Sequence, residues 1–124
     1  MPFELGIDYG CRKFGRAPHQ SKRFLVLEAS PYDYSKALSD LGGIDIKSHS
    51  NDPEDIVRAV RNWFVETVGI TRTKSATEIY LDFTNFTFDL DIRCRGEGFG
   101  EKDLFDMPTP EFVSYIKDWI ESRA

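Results

Sequence analysis

Residues 22–31 read Lys-Arg-Phe-Leu-Val-Leu-Glu-Ala-Ser-Pro (KRFLVLEASP), and this stretch decides the class of fold. Its apolar run is short and unbroken, which is typical of a strand that is buried on both faces of a parallel sheet. Ser30 and Pro31 then match a helix N-cap followed by the first helical position. A strand that leads directly into a helix is a βα unit, so the stretch predicts an α/β fold.

The same alternation continues along the chain. The helix predicted after Pro31 ends at Gly42-Gly43, and residues 44–46 form a second short strand. Residues 51–55 contain a cap, a proline and acidic side chains, which predict another helix that ends at Gly69. The apolar residues of the first of these two helices are Tyr34, Ala37, Leu38 and Leu41. Those of the second are expected to form its buried stripe, and they are Ile56, Val60, Trp63, Phe64 and Val68.

A helix is also predicted at the start of the chain, over residues 2–13. Pro2 suits the first helical position, and Glu4 in the first turn suits the positive end of the helix dipole. Gly6 and Gly10 lie four residues apart, and each lowers helix stability by about 0.5–1 kcal/mol relative to alanine. Two such glycines predict a close approach by another backbone or by a ligand. The residues at helical spacing are Phe3, Ile7, Gly10 or Cys11, and Phe14.

Residues 75–92 fit two structures. Ser75 and Glu78 match a capping box, and the residues that then follow helical spacing are Ile79, Phe83, Phe86 and Leu90. The residues that alternate as in a strand are Phe86, Phe88, Leu90 and Ile92. We favour a helix because of the capping box. A loop is predicted at residues 96–100, and a last helix begins at residues 109–111. The aromatic residues expected to be mostly core are Trp63, Phe64, Phe83, Phe86, Tyr115 and Trp119, and Ile120 is expected on the inner face of the last helix.

The predicted sheet is too small for the predicted helices. We expect a single α/β domain over residues 1–124, with an incomplete parallel sheet of two to three strands flanked by helices and a helical extension at residues 69–124. A parallel sheet needs more strands to be stable. We therefore expect either the C-terminal part of a larger domain, or a sheet that is completed by self-association or by a partner chain.

Composition excludes several classes of function. The chain of 124 residues has a net charge of −5 and no large basic cluster, which argues against nucleic acid as a partner. Its longest apolar run is too short to span a membrane. Cys11 and Cys94 are lone thiols without metal-type spacing and no signal peptide is recognised, so we expect a reduced, cytoplasmic protein.

Few residues offer chemistry on their own. Glu4 is a carboxylate beside glycines, which suits an acid, base or nucleophile acting on a ribosyl group, or else a solvated residue that favours the dipole. Asp45 and Lys47, with Glu28 on the other strand, resemble the carboxylates and lysine of a Mg²⁺ nuclease, or else alternating surface charge. His19 and His49 are isolated and are expected at the surface, so no metal site is predicted.

Phe3-Glu4-Leu5-Gly6, followed by a helix of small residues and then by the basic and apolar residues at 22–27, resembles the second half of bacterial TIR-like and related nucleotide-binding domains of flavodoxin-like fold. The resemblance covers residues 1–68. It implies that Glu4 is the catalytic carboxylate, as in members that cleave the nicotinamide–ribose bond of NAD or in nucleoside deoxyribosyltransferases. It also implies that Phe3 and Gly6 adjoin the nucleotide. In those families the first strands and the phosphate-holding loop precede this helix, so we expect a C-terminal part.

Two functions follow as expectations. One is a TIR-like nucleotide-binding domain, related to cleavage of the N-glycosidic bond of NAD or a nucleoside in bacterial signalling or defence, with no required cofactor. The other is a non-catalytic assembly module with an exposed sheet edge. The Mg²⁺ nuclease with Glu28, Asp45 and Lys47 is a third alternative.

Overall fold

The computed structural model describes residues 2–33 and 44–123 and has a mixed α/β architecture, as predicted. The elements in this part of the chain are α1 (Pro2–Phe14), β1 (Leu25–Glu28), β2 (Asp45–Ser48), α2 (Pro53–Trp63), α3 (Ala76–Gly96), α4 (Glu101–Phe105) and α5 (Thr109–Glu121). A 3₁₀ turn, His19–Ser21, lies between α1 and β1. The predicted helix with Tyr34, Ala37, Leu38 and Leu41, and its end at Gly42-Gly43, lies outside the described residues.

The two strands pair in parallel, which confirms the predicted sheet. The register runs from Leu25 opposite Asp45 to Glu28 opposite Ser48. Because side chains alternate along a strand, one face carries Leu25, Leu27, Asp45 and Lys47, and the other carries Val26, Glu28, Ile46 and Ser48. Within residues 2–33 and 44–123, each strand is paired along one edge only.

The start and end of α2 follow from local chemistry. The Asp52 side chain accepts hydrogen bonds from the backbone N–H groups of Glu54 at 2.8 Å and Asp55 at 3.2 Å, and Pro53 occupies the first turn. One π-helical turn, Phe64–Val68, extends the helix to Gly69, whose φ of +84° is the left-handed conformation that glycine tolerates. The predicted helix at residues 51–69 is confirmed.

The ambiguous segment is helical. Helix α3 spans Ala76–Gly96, and α5 begins at Thr109 as predicted. Helix α4 was not expected, because its five residues carry no apolar repeat. The Asp103 carboxylate holds its start by accepting a hydrogen bond of 2.8 Å from the Gly100 backbone N–H.

The chain divides into two compact units, Met1–Thr77 and Glu78–Ala124. The first contains α1, the sheet and α2, and the second contains nearly all of α3 together with α4 and α5. The sequence predicts that the helical extension begins at residue 69.

Few apolar side chains are buried. In the described part of the chain these are Ala59, Ala76, Phe86 and Cys94. Phe86, 3% exposed, meets the rings of Phe112 and Trp119 edge-on, with centroids 5.4 Å and 5.8 Å away. The core prediction is wrong for Phe64, Val68, Phe83 and Ile120, which are 40%, 40%, 48% and 56% exposed. Helical spacing identifies a face of the helix but does not show how much of that face a neighbour covers.

Candidate functional site

One side of α1 is packed against the segment that leads into β1. The Asp8 carboxylate pairs with the Lys22 ammonium, and this hydrogen bond raises the pKa of Lys22. The Arg12 guanidinium lies 4.9 Å from the ring centroid of Phe24 and 5.3 Å from that of Tyr9. These contacts fix which side of α1 faces its own unit.

The other side of α1 carries exposed apolar side chains. Phe3, Ile7 and Phe14 are 76%, 52% and 82% exposed. At about 100° per residue, these three and Gly10 lie within a sector of about 60° around the helix. We call this set, Phe3, Ile7, Gly10 and Phe14, the α1 stripe. It is a continuous apolar face that the described chain leaves open to solvent.

The glycines of α1 border open space. A Cβ atom placed on Gly6 or on Gly10 would have no heavy atom of the described residues within 4 Å, apart from neighbouring atoms of the helix itself. Neither has a positive φ that would require glycine. The close approach predicted from these glycines is therefore not made by any described residue of this chain.

The residues that the resemblance assigns to catalysis and nucleotide binding lie in the first two turns of α1. Glu4 and Gly6 are exposed, as is Phe3. The structure brings the three together only as neighbours on one helix, so the roles of Glu4, Phe3 and Gly6 stay predictions.

The carboxyl end of the sheet holds a buried carboxylate. Glu28 is 9% exposed, and its Oε1 accepts hydrogen bonds from the Tyr32 backbone N–H at 3.1 Å and from the Ser48 hydroxyl at 3.3 Å. Ligands of parallel sheets usually bind at this end. Here the carboxylate connects β1 to β2 and to the turn at Tyr32, whose φ is +69°, so we interpret Glu28 as a structural residue.

Asp45 and Lys47 lie on the opposite face of the sheet from Glu28. The Asp45 carboxylate accepts hydrogen bonds of 2.8 Å from Trp63 Nε1 and from the Thr67 hydroxyl. Lys47 Nζ lies 3.1 Å from a carboxylate oxygen of Glu66. The predicted nuclease cluster is therefore wrong, because the sheet separates its members.

The two histidines stay apart, as expected. His19 is exposed in the 3₁₀ turn, and His49 is half-buried with its Nδ1 accepting a hydrogen bond of 3.1 Å from the Asn51 backbone N–H. Within residues 2–33 and 44–123, no group of three or more His, Cys, Asp or Glu side chains is placed to hold a metal ion.

In the second unit, a polar network joins α3 to α5. The Tyr115 hydroxyl donates a hydrogen bond of 2.8 Å to Glu97 Oε2, and Arg93 Nε donates one of 3.0 Å to Glu97 Oε1. The Arg93 guanidinium also lies 4.8 Å from the Tyr115 ring centroid. Hydrogen bonds from Tyr115 and Arg93 lower the pKa of Glu97, and the bond to Glu97 raises the pKa of Tyr115.

A second group of contacts lies one turn away. Asp89 accepts hydrogen bonds from Trp119 Nε1 at 2.8 Å and from Arg123 at 3.2 Å, and the Arg123 guanidinium lies 4.0 Å from the Trp119 ring centroid. A groove of about 290 Å³ lies along these side chains. Its charged groups are already paired with one another, so we interpret it as the seam between the two helices.

Sequence reasoning missed this network. The spacing of Asp89, Arg93 and Glu97 at i, i+4 and i+8 was a usable signal for a polar stripe on α3. Nothing local indicated that Tyr115 would meet that stripe.

No protein-family model, no curated protein and no solved structure matches this chain. None of the helices in the described part of the chain is both long enough and apolar enough to cross a membrane.

Proposed function

We propose that this chain is an assembly module that associates with a second copy of itself. The observation that carries this proposal is the α1 stripe, with Phe3, Ile7 and Phe14 more than half exposed on one side of a single helix. Large contiguous apolar patches on soluble proteins mark interaction surfaces. Burying a side chain of this size stabilises by about 1.5–3 kcal/mol, so covering three of them is a substantial driving force.

The sheet adds support to this proposal. Each strand has four residues, and β1 presents Leu25, Val26 and Leu27 beside an edge that no described strand pairs with. Isolated pairs of strands are marginal in water, and unpaired edges invite another strand. The proposal includes a reduced, cytoplasmic protein with free thiols at Cys11 and Cys94 and no required cofactor.

Sedimentation velocity of the full chain tests this function. We expect a species of about twice the 14.3 kDa chain mass, with a population that grows as protein concentration rises. A single species at the mass of one chain over the whole concentration range would contradict the proposal.

The second candidate is chemistry on the N-glycosidic bond of NAD or a nucleoside, as in the TIR-like domains that the first residues resemble. The parallel βα architecture and the accessible Glu4 carboxylate support it. Glu4 would stabilise an oxocarbenium-like transition state or attack the anomeric carbon.

Incubation of the purified chain with NAD and with nucleosides, followed by chromatography of the products, tests this candidate. We expect release of free base that Glu4→Gln abolishes and that Glu121→Gln, a change at another exposed glutamate, leaves intact. Equal turnover by both variants would remove Glu4 from the mechanism, and no turnover by the unaltered chain would exclude the candidate.

A further inference from the structure

We propose that two copies of this chain pair through α1 in antiparallel orientation, about a two-fold axis that passes between residues 8 and 9. This inference rests on the proposed self-association and names its surface. An isologous contact of this kind needs a patch that is complementary to itself when reversed. The α1 stripe meets that condition.

The side chains of the stripe match in size when the helix is reversed against a second copy. About an axis between residues 8 and 9, Phe3 lies level with Phe14 of the second copy, and Ile7 lies level with Gly10 of the second copy. A β-branched side chain therefore faces a position without a side chain, twice by symmetry. The open space beside Gly10 is where the Ile7 side chain of the second copy would lie.

The charges of α1 favour the same orientation. Glu4 lies in the first turn and Lys13 lies in the last turn, whereas Arg12, also in the last turn, faces its own unit. In an antiparallel pair, the acidic turn of each copy is level with the basic turn of the other, and the helix dipoles oppose. A parallel pair would place acidic turns beside each other and basic turns beside each other. Electrostatics therefore selects antiparallel over parallel pairing.

The glycine gives this contact its close approach. Helices pack with axes about 8–10 Å apart, and small residues at the contact allow the shorter distances. Gly10 weakens the helix by about 0.5–1 kcal/mol, and no described residue of its own chain approaches it closely enough to require a glycine. In the proposed pair, Ile7 of the second copy packs against Gly10.

A matched pair of substitutions tests the surface. Ile7 and Ile92 are 52% and 57% exposed, so neither Ile7→Lys nor Ile92→Lys removes a buried side chain. In sedimentation velocity we expect Ile7→Lys to be a monomer at concentrations where the unaltered chain and Ile92→Lys are dimers. Circular dichroism checks that both variants stay folded. We expect Gly10→Leu, which fills the open space beside position 10, to lose the dimer in the same way.

The outcomes separate the two proposals. If the unaltered chain is a monomer, the proposed self-association fails and this inference fails with it. If the unaltered chain is a dimer and both Ile7→Lys and Gly10→Leu remain dimers, self-association stands and the α1 contact is overturned. Loss of the dimer in Ile92→Lys but not in Ile7→Lys would move the interface to α3 and also overturn it.

Disulfide trapping tests the orientation, in a Cys11→Ser background. In the antiparallel pair, position 3 lies beside position 14 of the second copy, whereas the two positions 14 are about 16 Å apart along the axis. We expect a mixture of the Phe3→Cys and Phe14→Cys chains, one of them tagged, to form the mixed disulfide, and Phe14→Cys alone to form little. Disulfides in Phe14→Cys alone, without the mixed product, would show a parallel pair and overturn the inference.

Discussion

At the scale of single residues, position on a helix face decides what a side chain contributes. Phe83 and Phe86 are three residues apart on α3, yet they are 48% and 3% exposed. Helical spacing predicts both on one side of the helix, but of the two only Phe86 contacts the rings of Phe112 and Trp119. The apolar side of α3 was predictable from the sequence, whereas the burial of each of its side chains depends on where α5 crosses α3.

The two phenylalanines therefore predict opposite outcomes for the same change. We expect Phe86→Ala to lower the free energy of unfolding by about 3–5 kcal/mol, because it removes a buried ring and leaves a cavity. Phe83→Ala, its matched control, should cost less than about 1 kcal/mol. Chemical denaturation of the two variants measures this difference, and equal losses would contradict the packing described for α3 and α5.

Glu97 predicts a pH effect at the same scale. Because Tyr115 and Arg93 bind the charged carboxylate, its pKa in the folded state lies below its ordinary value of 4.5. The group therefore stabilises the fold fully above about pH 4.5, and this contribution is lost as the pH falls through the lower folded pKa.

Carboxyl-detected NMR titration of Tyr115→Phe tests whether the Tyr115 hydroxyl lowers the pKa of Glu97. Loss of the hydroxyl should move the pKa of Glu97 upward, toward 4.5. Tyr80→Phe, a change at a tyrosine elsewhere on α3, should leave it where it is. An unchanged Glu97 pKa in Tyr115→Phe would refute the assigned cause.

At the scale of elements, local chemistry explains what the sequence predicts well. Asp52, Pro53 and Gly69 mark the beginning and end of α2 because caps and left-handed turns depend on a few adjacent residues. The separation of Glu28 from Asp45 could not be predicted in this way, because it depends on the register between two strands. The contact of Glu97 with Tyr115, 18 residues later, depends in the same way on how α5 returns to α3.

The cap of α2 gives a prediction at this scale. Asp52→Ala should lower stability by about 1 kcal/mol, since two backbone N–H groups lose their acceptor. The midpoint of thermal unfolding should fall by about 4 °C. Asp52→Asn keeps an oxygen acceptor, so its midpoint of thermal unfolding should fall much less. Equal losses in the two variants would show that the negative charge, and not the hydrogen bonding, stabilises the start of α2.

In the whole molecule, only part of the apolar surface of the chain is buried by the chain itself. The first unit buries Ala59 and Ala76 in the described residues, while Phe3 and Phe14 on α1 remain open to solvent. The sequence predicted an incomplete sheet and a need for a partner. It did not indicate that the exposed face would lie on α1, because helical spacing identifies an apolar face but does not show whether a neighbour covers it.

In the proposed dimer, α1 is the surface on which two copies meet. Amide hydrogen exchange, followed across a wide range of protein concentration, tests it most directly. We expect the protection of Pro2–Phe14 to rise with concentration while that of Pro53–Trp63 stays constant. Protection of α1 that does not change with concentration would contradict it.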